Sequence, residues 1–280
     1  MSPLSRQLRA AARLDLAEVL RSRWIWFCVG VYVLIGAVMV VVGARESAVL
    51  GFTGTGRVLV SFSHALVLLL PLIALVATAP TIQRAREDGS LELLLTQPLS
   101  PGAWFTATLA VRYLALVVPL ATVIVGIGVW GHVAYAHPIP WGFIGTSIAI
   151  SAALLLAFTG IGALISVVAR NPARVITYLV LAWALGVALL DFGLIGLMLR
   201  WRVDAHAVFV LAAVNPVEAA RLGLLSGLDP ELSSFGPVGF YLATTLGPRA
   251  LLGLAVAWPT VVGLATALVA FLRFRSTDRI

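Results

Sequence analysis

The sequence predicts an all-α, polytopic membrane protein with six transmembrane helices, and three observations carry that prediction. Hydrophobic residues make up 61% of the 280 and charged residues only 11%, whereas a soluble domain is about a quarter charged. Mean hydropathy is +1.04. Apolar runs of about 20 residues, the length that crosses a ~30 Å hydrocarbon core, recur along the chain. The runs are continuous and do not alternate, which argues against a β-barrel, since in lipid every backbone polar group must be satisfied within the spanning structure.

Residues 2–23 come first. Arg6, Arg9, Arg13, Arg21 and Arg23 interleave with Leu4, Leu8, Leu14, Leu16, Val19 and Leu20. Helical spacing gathers much of the apolar set on one side, which predicts an amphipathic helix lying in the membrane interface; a solvated basic tail is the alternative. Span one follows over about 24–43, with Trp24 and Trp26 at the interface and Cys28 inside as a small packing residue. One Cys makes neither an intrachain disulfide nor a metal cage. A polar, Arg-bearing segment before a run of full span length does not read as a cleavable signal peptide.

Spans two to six are expected over about 58–80, 107–129, 143–168, 175–199 and 251–272, with Pro119 a kink in span three. The chain 1–280 reads as one membrane domain. Its outer segment 200–250 carries Pro216, Pro230, Pro237 and Pro248. Within it, Asn215 to Leu225 looks helical: Asn215 suits an N-cap and Pro216 the first helical position. Short helices resting on the outer membrane face are expected there.

All 19 basic residues are Arg. Without Lys there is no P-loop and no Schiff-base chemistry. Thirteen Arg residues fall on one side: those of the N-terminal segment, Arg84, Arg86, Arg112, Arg170, Arg174, Arg273, Arg275 and Arg279. Six fall on the other: Arg45, Arg57, Arg200, Arg202, Arg221 and Arg249. The positive-inside rule then places both termini in the cytoplasm of a multi-pass protein of the cell membrane. The net charge of +7 is explained by that rule and does not point to a nucleic-acid partner.

The most informative stretch is the connection 81–106. Arg84 and Asp88 are spaced to pair across one helical turn. Gly89 is a helix stop and Ser90 an N-cap for a second short helix, with Glu92 favoured in its first turn. Pro98 ends it. The result is a charged elbow followed by a short helix with Leu91, Leu94 and Leu95 to bury. On physical grounds alone this is either a site of contact with a partner or a well-capped loop joining two spans.

The run Arg86-Glu87-Asp88-Gly89-Ser90-Leu91-Glu92-Leu93-Leu94-Leu95-Thr96-Gln97-Pro98 resembles the cytoplasmic signature of ABC type-2 permeases. The resemblance implies that this segment is the coupling helix seated in a separate ATPase subunit, with Arg84, Arg86, Glu87, Asp88, Gly89, Ser90, Leu91, Glu92, Leu94 and Leu95 as its contact set. It implies that ATP and Mg are bound by two copies of that subunit, that this chain holds no cofactor, and that a second copy of the chain completes an exporter. The basic N-terminal segment is similar to the family's interfacial connecting helix. Within the family, Leu50-Gly51-Phe52-Thr53, Leu190-Asp191-Phe192 and Val214-Asn215-Pro216-Val217-Glu218-Ala219-Ala220-Arg221-Leu222 resemble the NosY-like permeases of nitrous-oxide-reductase maturation transporters. That group implies delivery of a sulfur or metal-cofactor precursor for a periplasmic copper enzyme. Lipid, peptide or drug export stays open.

Other polar residues carry two readings each. Asp191 in span five costs about 2.5–3.5 kcal/mol if ionised in lipid, so it is a pathway or gating residue or a structural hydrogen-bond former. His64 near the outer end of span two is a pathway candidate, and a lone His is no metal site. His132 and His137 read as an ordinary polar loop. Asn215, Glu218 and Arg221 are candidates for meeting a periplasmic acceptor protein. No Gly-x-Ser-x-Gly elbow, His-Glu-x-x-His pair or intramembrane Asp pair occurs, which disfavours an intramembrane enzyme. A non-transporting membrane anchor or signalling scaffold is the stronger rival.

Overall fold

A computed structural model describes residues 3–50, 54–96, 99–135, 138–189, 214–226 and 247–277, and the described residues are all helical or connecting. Helix α1 spans Pro3–Arg21 and α2 spans Arg23–Leu50. The axes of Ser5–Arg21 and Arg23–Val38 differ by 65°. At the bend the Ser22 hydroxyl accepts from the Trp24 amide at 3.3 Å, which supplies one of the orphan donors at the start of α2. Ala11, Asp15 and Val19 form the buried stripe of α1, while Leu14, Leu16 and Leu20 face outward. On α2, Cys28 and Tyr32 are fully buried and Trp26, Phe27 and Leu34 face out.

Helix α3 spans Gly54–Thr78 and runs, after a two-residue turn, into α4, Thr81–Glu87. Helix α5 is Ser90–Leu95. Helix α6, Pro101–Tyr135, begins six residues before the start expected for span three, and it continues through Pro119. Helix α7 is Trp141–Val168, and α8, Pro172–Trp183, leads into a π-helical turn at Ala184–Leu189. Helix α9 is Pro216–Ser226 and α10 is Gly247–Thr277.

Four described helices are long and apolar enough to cross a membrane, or five if the bent pair α1–α2 is one span. The expected fifth span is described only as the shorter apolar stretch Pro172–Val187; the rest of it, with Asp191, lies outside the described residues. Six spans are therefore more than the described residues supply.

Helix α7 is the centre of the bundle, buried along most of its length. It crosses α10 where Gly160 and Gly263 meet. A Cβ on Gly263 would stand 2.6 Å from the Leu156 carbonyl, and one on Gly160 would strike the Gly263 carbonyl. Small residues let helix backbones approach, which is how apolar helices gain packing energy in lipid.

Helix α9 corrects one expectation. Asn215 does cap it, accepting from the Val217 amide at 3.0 Å, and Pro216 is its first residue. But the helix is buried rather than resting on a surface: Val217, Glu218, Ala219, Ala220, Leu222 and Leu224 are all shielded, packed against α7 and α10. Its run of Ala and Gly makes it thin enough to enter the bundle.

Candidate functional site

The hairpin α4–α5 is assembled against the ends of three long helices. Leu91, 4% exposed, joins Ile82, Phe105, Ala163, Val167 and Phe274 in one apolar cluster. Phe105 lies 5.6 Å from Phe271 and 5.7 Å from Phe274. The hairpin thus sits where α6 begins and α7 and α10 end.

Its attachment to α7 is reciprocal. Helix α4 starts at Pro80 without a side-chain cap of its own. The Ser166 hydroxyl, on α7, accepts from the Ile82 amide at 2.8 Å and from the Gln83 amide at 3.4 Å. In return, Arg86 Nη1 donates to the Val167 carbonyl at 3.0 Å. Each helix satisfies orphan groups at the other's terminus. A movement of α4 must therefore break these bonds or carry the end of α7 with it.

The turn between α4 and α5 depends on Gly89, whose φ of +69° is left-handed and costs a Cβ-bearing residue about 1 kcal/mol or more. Gly89, and not Ser90, holds the N-cap position. Ser90 is already helical, and its hydroxyl donates back to the Ala85 carbonyl at 3.3 Å. Arg84 and Asp88 share a backbone hydrogen bond of 2.9 Å, but their side chains form no ion pair among the described residues.

The outward face of the hairpin carries Arg84, Glu87, Asp88, Glu92 and Leu93. Leu93 is 68% exposed, and the sequence reading passed over it in favour of Leu91, which points inward. Leu94 is half-buried on a neighbouring cavity wall. The side chain of Leu95 lies outside the described residues.

Beside the hairpin, α1 is tied to α6 by an ionic cluster that sequence reading missed. Arg112 Nη2 reaches Asp15 Oδ1 and Glu18 Oε1, each at 3.3 Å, and Nη1 donates to the Ala77 carbonyl at 3.3 Å. Burial pushes the Asp15 carboxyl up to about 6, against the opposing pull of Arg112. The available signal was an acidic pair, three apart, on an otherwise Arg-bearing helix.

The second candidate region is at α9. Asn215 is 2% exposed, and its amide donates to the Gly186 carbonyl inside the π-helical turn at 2.7 Å. Glu218 and Arg221 pair at 2.8 Å. Trp258 Nε1, on α10, donates to the Val214 carbonyl at 2.8 Å. Glu218 is 7% exposed, held by packing and by Arg221. His64 lies on α3, with its side chain outside the described residues.

A helical membrane bundle bearing a docked, charged hairpin at one end has the build of a permease worked by a partner. The chain belongs to the ABC-2 family transporter proteins, whose model matches residues 9–275. It is a multi-pass membrane permease of a family that lacks its own ATPase domain and pairs with ATPase subunits. It is distantly related to two proteins named as probable ABC transporter permease protein NosY. One, from Stutzerimonas stutzeri, is 26% identical over 231 residues, 80% of this chain and 83% of the relative. The other, from Pseudomonas aeruginosa, is 28% identical over 264 residues, 87% of this chain and 94% of the relative.

Proposed function

We infer that the chain is the membrane subunit of an exporter built from two permease copies and two ATPase subunits, with both termini cytoplasmic and the hairpin α4–α5 as the coupling element. The observation that carries this reading is the hairpin's two-sided build. Leu91 and Ile82 anchor it to the bundle, while Leu93 and the carboxylates of Glu87, Asp88 and Glu92 are left outward. An exposed Leu amid charges offers apolar surface that a partner groove would gain by burying. The Ser166 and Arg86 bonds give a route by which force on the hairpin reaches α7. The asymmetry of Arg placement supports the orientation.

The distal end of this route is the junction of α9 with the π-helical turn, which would act as the gate on the outer side. π-helical turns are often found at functional sites, and Asn215 fixes this one. The likeness to NosY permeases supports a cargo class: a sulfur or metal-cofactor precursor for a periplasmic copper enzyme. A periplasmic acceptor would meet residues other than the buried Glu218.

The test is co-purification and ATP-driven transport in Leu93→Asp and Glu87→Arg. Both side chains are exposed, so folding should be unaffected. Retained folding with loss of ATPase association supports the coupling reading. Normal association and transport in both variants overturns it. Folded permease that still associates and signals when the ATPase cannot hydrolyse ATP favours the scaffold alternative.

A further inference from the structure

A groove of about 350 Å³ runs between α6 and α10, with Leu156 of α7 on its wall. Helix α6 begins and α10 ends at the hairpin, so the two are antiparallel, and the Phe105–Phe271 contact of 5.6 Å sets their register. That register brings Ala110 and Ala267 to about one level, and both line the groove. Two alanines at one level leave a gap that larger side chains would close. From Phe105 to Tyr113 the groove extends about 12 Å along α6.

The wall offers apolar surface. Its hydroxyls are committed: Thr106 Oγ1 donates to the Gly102 carbonyl at 2.7 Å and Tyr113 Oη to the Ala152 carbonyl at 3.2 Å. Leu264 and Leu268, 58% and 57% exposed, form the outer rim, and what surrounds a membrane span at that depth is hydrocarbon. The row Leu264, Leu268, Phe271 continues at helical spacing to Arg275. The Arg275 guanidinium carbon lies over the Phe271 ring, 5.7 Å from its centroid. Arg273 and Arg275 are exposed, and neither pairs with a hairpin carboxylate or any other acid among the described residues. Helices α6, α7 and α10 contain no acidic residue, and the run 273–279 holds three Arg against one Asp. The groove is therefore apolar along its length and positive at its end.

We propose that this groove seats one acyl chain of an anionic phospholipid, whose phosphate lies against Arg275 and Arg273. The chain by itself gives no selectivity, because lipid tails are as apolar as the side chains they meet. The groove fixes where the lipid sits, and the arginines choose its headgroup. Basic ends of pockets between membrane helices are where anionic headgroups bind. The Phe271 ring keeps the Arg275 cation beside the groove. Its planar N–H donors make no hydrogen bond among the described residues and suit a phosphate. A zwitterion is disfavoured, because no carboxylate on these three helices would receive its ammonium. The site needs only the chain's place in a membrane and stands apart from the coupling reading. The leaflet that supplies the lipid, the cytoplasmic one, rests on the proposed orientation.

The full chain, purified with and without its ATPase subunit, is reconstituted in nanodiscs of equal phosphatidylcholine and phosphatidylglycerol. Native mass spectrometry after transfer to mild detergent reads the lipid retained. Retention of phosphatidylglycerol over phosphatidylcholine by about 25-fold is expected, about five-fold from each arginine beside the phosphate. Arg273→Gln together with Arg275→Gln, both at exposed positions, should bring the ratio to near one. Ala110→Phe fills the groove and leaves both arginines in place; it should lower retained phosphatidylglycerol several-fold. Size-exclusion chromatography reports folding, and Ala110→Leu, a smaller filling, carries the same test if the Phe variant does not fold. A basic tail attracted to any anionic surface would ignore the filling, so unchanged retention in the folded Ala110 variant overturns the seat. Inorganic phosphate at millimolar concentration should not displace the lipid; displacement would make this a site for a soluble anion and overturn the proposal. Equal retention of the two lipids by the unaltered chain, or an unchanged ratio in the folded double Arg variant, overturns it as well.

Discussion

The Asn215 side chain joins two segments that are otherwise separate: its amide donates to the Gly186 carbonyl at 2.7 Å while its Oδ1 caps α9 on the Val217 amide at 3.0 Å. Gly186 lies within the π-helical turn, where the regular i to i−4 ladder is interrupted and a carbonyl is left to find another donor. One residue therefore both starts α9 and fixes the end of α8. Asn215→Ser keeps a capping oxygen but cannot reach Gly186. It should lower the unfolding free energy in nanodiscs by about 1–3 kcal/mol, the cost of a buried carbonyl left unmade. Asn215→Ala should cost more by about a further 1 kcal/mol, the value of the cap. Equal melting of the Ser variant and the wild type would show that the amide contact contributes nothing.

How far such contacts can be read from sequence differs by range. Asn215-Pro216 announced its own cap because capping is local, spanning two residues. Gly89 was legible as a stop for the same reason. The burial of α9 was not, because nothing in its own eleven residues reveals that α7 and α10 leave room for a thin helix. Ser166 was invisible as the cap of α4, since its partner Ile82 is 84 residues away. In α5 the four leucines occupy most of a single turn and a half, so no periodicity separates the anchored Leu91 from the exposed Leu93. The apolar runs of spans one to four and six were read correctly as long helices, because length and composition decide that without any tertiary partner.

The two leucines should separate folding from coupling. Leu91→Asp places a carboxylate among Ile82, Phe105 and Phe274, a burial without a paired charge that costs several kcal/mol. It should reduce the amount of folded permease recovered. Leu93→Asp changes an exposed side chain and should shift stability by under about 0.5 kcal/mol. Comparing yield in size-exclusion chromatography with ATPase co-purification would reveal the split. Loss of folded protein in the Leu93 variant would mean that the face is buried by this chain.

Ser166→Ala tests the latch. It removes the acceptor for the Ile82 and Gln83 amides and leaves the first turn of α4 without a side-chain partner. Faster hydrogen exchange at Ile82 and Gln83, by about ten-fold for a loss near 1.4 kcal/mol, is the expected readout. Ser166→Thr retains the hydroxyl and should restore protection. Unchanged exchange in the Ala variant would remove Ser166 from the route between hairpin and bundle.

Asp15 gives a pH dependence whose sign is fixed by its environment. Its carboxyl stands near 6 when α1 is docked and near 3.8 when exposed. The docked state therefore binds more protons between those values, so docking weakens as pH rises from about 4 to 6 and levels off above. The full difference is about 3 kcal/mol. Below the lower value both states are protonated and the dependence vanishes. Arg112 opposes the trend, so Arg112→Gln should steepen it by leaving the carboxylate buried alone, while Asp15→Asn should flatten it. Hydrogen exchange of residues 8–20 against pH is the measurement. Protection of α1 that increases between pH 4 and 6 would contradict the assignment of burial as the dominant influence on Asp15.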